Sequence, residues 1–246
     1  MTLSTLLKVA IVVIFASIFV AVTFLEPPAP ESWETSLLLK GPNGARGSGV
    51  YIGNGQVLTA KHMIEQIDRT GIASYSAISY MGESYAVTTS SIWHCKNCDL
   101  AIIGVTTLID KDLSPAVISC RVPERGESVS YSGYPISGTD EEGEKMIRFI
   151  TATGIVADER LTLTPIDKVG RWLANIYFDH GGSGSGIFDS QNHLIGVAVQ
   201  VSGMGLGQGI FIAAPMTGVT SILPYCDPDW IKSYKASLHE KLNVAH

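Results

Sequence analysis

The chain has 246 residues, of which 46% are hydrophobic and only 16% charged, with a formal net charge of -6. That much apolar surface fills a sizeable core in one or two domains and excludes a disordered chain. The acidic balance leaves no electrostatic footprint for nucleic acid, which removes that class of partner. The 25 glycines and 11 prolines among short Val/Ile/Thr runs favour an all-β chain rich in turns.

Val9 to Leu25 is an unbroken run of apolar and small residues, with Lys8 before it and Glu26-Pro27-Pro28-Ala29-Pro30-Glu31 after it. At ~1.5 Å per residue it spans roughly 25 Å, the reach of a short membrane-spanning helix or an uncleaved signal. The small-x-small match Ala21-Val22-Thr23 sits inside the run instead of after it. Residues 1–25 therefore read as a membrane anchor or signal segment, with anchoring preferred over cleavage. Lys8 on one side and Glu26, Glu31 and Glu34 on the other leave the bulk of the chain outside the cytosol, periplasmic or extracellular, and secreted if the segment is cut. Residues 26–36 follow as a stiff Pro-rich linker.

Leu37-Leu38-Leu39 is a first strand and Gly41-Pro42-Asn43-Gly44 a tight turn. Gly47 to Ile52 and Gln56 to Ala60 pair as a hairpin across the turn Gly53-Asn54-Gly55. Ala73 to Tyr80, Ser84 to Thr88 and Leu100 to Val105 continue the series. A second series runs through Glu127 to Gly133, Met146 to Val156, Leu161 to Thr164, Trp172 to Phe178, the apolar run Leu194 to Val199, and Gly209 to Ala213. About six short strands before residue 120 and about six after it suit two small antiparallel barrels, over 37–118 and 119–225. At the end, 226–246, Asp227 caps, Pro228 fits a first helical turn, and Trp230, Ile231, Tyr234, Leu238 and Leu242 recur at helical spacing, as a closing amphipathic helix would.

Three residues stand out for chemistry. Ser183 lies in Asp179-His180-Gly181-Gly182-Ser183-Gly184-Ser185-Gly186, a hydroxyl among glycines ahead of a buried strand. A serine that attacks a carbonyl needs a base for its proton and donors for the oxyanion that forms. Glycines let two backbone N–H groups converge, here those of Gly181 and Ser183. His62 follows Val57-Leu58-Thr59-Ala60, where a buried strand ends and a side chain is held rigidly at a cleft. Asp99 stands directly before Leu100-Ala101-Ile102-Ile103, where burial of a carboxylate calls for a partner that a histidine N–H supplies.

Taken together, the order His62, Asp99, Ser183 resembles the chymotrypsin-like (trypsin-like) serine peptidases, especially the HtrA-type and glutamyl endopeptidase branches. The resemblance rests on Gly47-Ser48-Gly49, Leu58-Thr59-Ala60-Lys61-His62, Asp99-Leu100-Ala101, Gly133-Tyr134-Pro135, Gly181-Gly182-Ser183-Gly184-Ser185 and Gly196-Val197, collinear from about Leu37 to Ala214. It implies two six-stranded antiparallel barrels and a serine endopeptidase acting on polypeptides without cofactor or metal. In that reading Ser183 is the nucleophile, His62 the base, Asp99 the orienting acid, and the N–H groups of Gly181 and Ser183 the oxyanion hole. Ser185 is the rival nucleophile, disfavoured because Ser183 then stands where its glycine should be. The specificity pocket falls on Tyr177, Phe178, Val199 and Val201, with no acid to select Lys or Arg, which suits small or apolar side chains. Ser202 to Gly209 reads either as a wall of that pocket or as a plain hairpin loop.

The departures from the family carry expectations of their own. Gly182 replaces the acid that pairs with a new amino terminus in zymogen-activated members, so cleavage-driven activation is not expected. The same glycine should leave the oxyanion loop loose until substrate binds. Cys226 to His246 is too short for the PDZ domain of HtrA-type proteins, so regulation through one is not expected. Four cysteines allow three pairings, and Cys120 at the junction with Cys226 before the last helix suggests a bridge from linker to helix. His94-Cys95-Lys96-Asn97-Cys98 is open to three readings: zinc binding, redox exchange, or a small disulfide stiffening the loop of Asp99. Two other functions compete: a silent peptide-binding protein on the same fold, and an α/β-hydrolase esterase, whose order Ser, acid, His does not match.

Overall fold

The structure, a computed structural model, describes residues 28–41, 46–70, 75–96, 98–106, 109–139, 145–162, 171–176, 179–202 and 216–226. The first part carries β1 (Ser36–Lys40), β2 (Arg46–Gly53), β3 (Gln56–Thr59), α1 (Lys61–Thr70), β4 (Ser76–Ser79), β5 (Ser84–His94), β6 (Ala101–Val105) and α2 (Ile109–Asp112). The second carries β7 (Ser128–Gly133), β8 (Ile136–Thr139), β9 (Lys145–Ile147), β10 (Ile150–Thr162), β11 (Arg171–Asn175), β12 (Gly186–Phe188), β13 (Leu194–Ser202), β14 (Met216–Ser221) and α3 (Leu223–Cys226). The anchor segment, the final helix and the strand expected at Gly209 to Ala213 lie outside the described residues. Among the described residues no helix is long and apolar enough to cross a membrane.

Both parts are closed antiparallel barrels, in the orders β1-β2-β3-β6-β5-β4 and β10-β11-β14-β13-β12-β7, with β8 and β9 as a separate two-stranded sheet. Period-2 alternation explains why the runs in β3 and β6 are apolar throughout. Val57 and Ile103 point into the first barrel with Leu37, Leu39 and Tyr51. Leu58 and Ile102, their chain neighbours, turn the other way and share a cluster with Val129, Tyr131, Trp172 and Phe188 of the second barrel. Both faces of these strands are therefore dry, and each fully buried Leu or Ile contributes about 1.5–3 kcal/mol. The turn of the first hairpin holds Gly53, Asn54 and Gly55 at φ of 95°, 53° and 65°, a left-handed bend that these residue types tolerate.

Three expectations are corrected. A ten-residue helix, α1, starts two residues after β3, where a strand end alone was expected. The stretch Met146 to Val156 is two strands: β9 pairs with β8, the chain breaks at Arg148-Phe149, and β10 pairs with β7 and runs on through Thr162, absorbing the start of Leu161 to Thr164. The linker reading of 26–36 also fails at its end. Ser32 Oγ shares a 2.6 Å bond with Ser132 Oγ of β7, and Ser36 Oγ donates to Ser32 O at 2.9 Å. Ser32, Thr35 and Ser36 are all buried, so the chain docks on the second barrel before it enters the first.

The junction is held by Cys120–Cys226, with Cα atoms 6.0 Å apart, the bridge expected between linker and C-terminal segment. Beside it Arg121 forks onto Glu127 and donates to Asp189 Oδ2 at 2.9 Å. The Arg121 bond lowers the pKa of Glu127 and outweighs its burial. For Asp189 burial works upward, but Arg121 and the N–H groups of His193 and Gln191 outweigh it and leave the pKa lowered. Groups with depressed folded pKa values contribute stability above the ordinary carboxylate range, and that contribution is lost as pH falls through the folded values. Arg121→Ala should therefore cost about 2 kcal/mol at neutral pH, discounted for the exposure of Arg121, and progressively less below about pH 4. Urea unfolding of both proteins at the two pH values checks this; a deficit that does not depend on pH would place its origin elsewhere.

Candidate active site

In the ladder of β3 with β6, Thr59 faces Ala101. His62 lies three residues beyond Thr59 and Asp99 two before Ala101, so the antiparallel pairing delivers both to one end of the first barrel. There the Asp99 carboxylate makes two contacts to one residue. Oδ2 lies 2.9 Å from Nδ1 of the His62 ring, and Oδ1 accepts the His62 backbone N–H at 2.9 Å. That N–H belongs to the first turn of α1, whose amides lack intrahelical partners and carry the positive end of the helix dipole. The first turn of α1 has no acid of its own; Asp99 supplies one from 37 residues away. The Asp99 side chain is 11% exposed and that of His62 36%, so the acid is enclosed while the ring reaches the surface.

The loop of Asp99 is itself fastened. Cys95 and Cys98 form a disulfide, which occupies the two thiols that zinc binding would need and closes the loop ahead of Asp99. Cys95 N donates to Leu100 O at 2.9 Å, Lys61 N to Asp99 O at 3.3 Å, and Lys61 Nζ to Cys95 O at 3.2 Å. Among the described residues no group of three or more His, Cys, Asp or Glu is placed to hold a metal ion.

Ser183 approaches from the second barrel on a loop that is stitched to β2. Ser48 N donates to Ser183 O at 2.8 Å and Ser48 Oγ to Gly181 O at 3.1 Å. The loop is also tied within itself and to β13: Gly182 N to Asp179 O at 3.0 Å, Ser185 N to Gly182 O at 2.9 Å, and Gly184 N to Ala198 O at 2.8 Å. Gly182, expected to loosen this loop, is buried and bonded. Among the described residues the N–H groups of Gly181 and Ser183 donate to nothing. No hydrogen bond there joins the Ser183 hydroxyl to the His62 ring, a contact that is often long before substrate arrives. What joins the two is Ser48: its N–H donates to Ser183 O, its carbonyl accepts from Thr59 Oγ1, and Thr59 is three residues from His62.

Ser185 is fully buried and donates to Tyr131 OH at 3.2 Å, so this second hydroxyl faces the interior of the barrel. Of the expected pocket residues Val199 is buried in β13. Val201 lies further along the same strand, its side chain outside the description, and Tyr177 and Phe178 lie outside the described residues. Ser48 was read only within the strand motif Gly47-Ser48-Gly49, with no role of its own. Tyr134 N also donates to its Oγ, at 3.0 Å, from the residue that follows β7. Among the described residues the buried Tyr134 hydroxyl has no partner, and burial pushes its pKa up, keeping it neutral.

A double six-stranded barrel with an imidazole and a carboxylate paired at its seam is the architecture of the two-barrel peptidases. The chain belongs to the trypsin-like peptidase family, whose peptidase domain its sequence matches over residues 47–197. Among curated proteins none matches the sequence. Solved structures share the fold. The protease Rv3671c in an inactive form is 17% identical, with 77% of this chain and 84% of that one covered and a TM-score of 0.55. An inactive serine-to-alanine mutant of the same protein from M. tuberculosis H37Rv is 17% identical over 85% and 96%, at 0.58. The HtrA-type protease AlgW, in a serine-to-alanine form with a tripeptide, is 14% identical over 79% of this chain and 59% of its own, at 0.61.

Proposed function

We propose that the protein is a serine endopeptidase that hydrolyses polypeptides through an acyl-enzyme intermediate. Ser183 attacks the scissile carbonyl. His62 takes the hydroxyl proton on Nε2 and returns it to the leaving amine. Asp99 accepts from Nδ1–H, fixing the tautomer and stabilising the imidazolium that forms. The N–H groups of Gly181 and Ser183 receive the oxyanion, each donor worth about 3 kcal/mol in such sites. The observation that carries this reading is the two-point hold of Asp99 on His62, because a carboxylate that grips both the ring and the backbone amide of one histidine leaves only Nε2 to act.

The substrate side remains an expectation drawn from sequence: small or apolar residues at Tyr177, Phe178, Val199 and Val201. The apolar segment Val9 to Leu25 would tether the domain outside the cytosol, a setting with which two disulfides agree.

A fluorophosphonate probe tests the assignment. The parent chain and Ser185→Ala should be labelled and Ser183→Ala should not. Absence of labelling in the folded parent would favour a silent peptide-binding protein, and labelling that survives Ser183→Ala would move the nucleophile elsewhere.

A further inference from the structure

The loop of Ser183 holds its peptide groups in an alternating pattern. The 181–182 peptide is fixed at both edges, its carbonyl by Ser48 Oγ and its N–H by Asp179 O. The 183–184 peptide is likewise fixed, its carbonyl by Ser48 N and its N–H by Ala198 O. The intervening amides, Gly181 N–H and Ser183 N–H, are those left without a partner among the described residues. Two of the four fixing contacts come from one residue of the other barrel.

We infer that Ser48 is the positioning residue of the oxyanion hole: its hydroxyl and its amide set the orientation of the two peptide groups that aim Gly181 N–H and Ser183 N–H. The inference rests on the endopeptidase reading given above. Its geometry is specific. Ser48 is fully buried, and its Oγ accepts from Tyr134 N at 3.0 Å, which turns the hydroxyl proton toward Gly181 O. Its own carbonyl accepts Thr59 Oγ1 at 2.7 Å, so the residue cannot rotate away. Strand pairing explains why it is available. β2 pairs with β1 along Arg46–Val50 but with β3 only from Val50 onward, so the β3-side edge at Ser48 is open to the Ser183 loop. The 181–182 peptide is flanked by glycine on both sides, with no Cβ to limit its rotation, and without the hydroxyl nothing else described holds its carbonyl.

Ser48→Ala removes the hydroxyl and keeps the backbone bond to Ser183. The expected result is a roughly 10- to 100-fold fall in kcat with KM within about twofold, because a mis-aimed donor costs part of what a deleted donor costs. Affinity for a peptide aldehyde, whose hemiacetal oxygen occupies the hole, should fall in the same proportion, while affinity for the product peptide of the same sequence stays. Ser48→Cys, of similar shape and with a weak donor, should recover part of the loss. Hydrogen exchange over residues 179–185 should accelerate in Ser48→Ala by more than in the rest of the barrels, where only the modest loss of global stability from the orphaned Tyr134 N–H and Gly181 carbonyl is felt. Unchanged kcat and exchange in a folded Ser48→Ala, or equal losses for aldehyde and product, would overturn the inference. If Ser48→Ala does not fold, Ser48→Cys carries the same measurements. A parent chain that neither reacts with fluorophosphonate nor cleaves peptides would sink the endopeptidase reading by itself, and the exchange experiment still decides whether Ser48 orients the loop.

Discussion

Asp99→Asn should lower kcat about 10⁴-fold with little change in KM and a loss of stability near 1 kcal/mol. The two numbers differ because the carboxylate does two jobs of unequal consequence. One oxygen accepts the His62 backbone N–H at the start of α1, and an amide oxygen at the same place still does so, losing only the charge at the helix terminus. The other oxygen faces Nδ1 of the ring at 2.9 Å. In the variant that contact becomes an NH₂ group, which forces Nδ1 to accept and moves the ring proton to Nε2, the nitrogen that in the proposed mechanism takes the proton of Ser183. The base is then occupied before the reaction begins. Kinetics on one peptide substrate and thermal unfolding of the same preparation measure both numbers. A kcat within tenfold of the parent would mean that His62 does not depend on Asp99 for its tautomer. A loss confined to stability would reduce Asp99 to a helix cap.

The same contact explains which parts of the fold were readable from sequence. The hairpin around Gly53-Asn54-Gly55 and the strand Leu100 to Val105 declare themselves locally, one by residues that accept positive φ and the other by an apolar run buried on both faces. α1 does not. It follows Ala60 without a Ser, Thr, Asp or Asn cap, since its acid comes from Asp99, and no window of neighbouring residues contains that information. His62 and Asp99 were read as a pair, but nothing near either of them in sequence says that the pair also closes a helix terminus. The division of Met146 to Val156 was hidden for a related reason: the break at Arg148-Phe149 carries no turn residue, and only the different partners of β9 and β10 reveal it. Ser48 was the hardest to read, because its side-chain and carbonyl bonds reach across 11, 86 and 133 residues.

Gly184→Ala gives the second large effect, an expected loss of about 3 to 5 kcal/mol of stability together with at least a roughly 100-fold fall in kcat/KM. Gly184 sits at φ +91°, which any side chain strains. A Cβ there would also lie 1.9 Å from Ser48 O and 2.3 Å from Thr59 Oγ1. Neither neighbour can yield cheaply: the first is backbone of β2, and the second is the hydroxyl that donates to that same oxygen. The loop must therefore back away from β2, and Ser183 O then loses Ser48 N while Gly181 O loses the Ser48 hydroxyl. Strain and contact are separable with a second variant. Gly82 has φ +88° and nothing within 4 Å of a built Cβ, so Gly82→Ala should cost about 1 kcal/mol and leave catalysis alone. Chemical unfolding and kcat/KM of the pair supply the comparison. Equal costs for the two alanines, with activity retained in both, would mean that the Ser183 loop does not lie against β2, and the route by which the first barrel positions Ser183 would have to be abandoned.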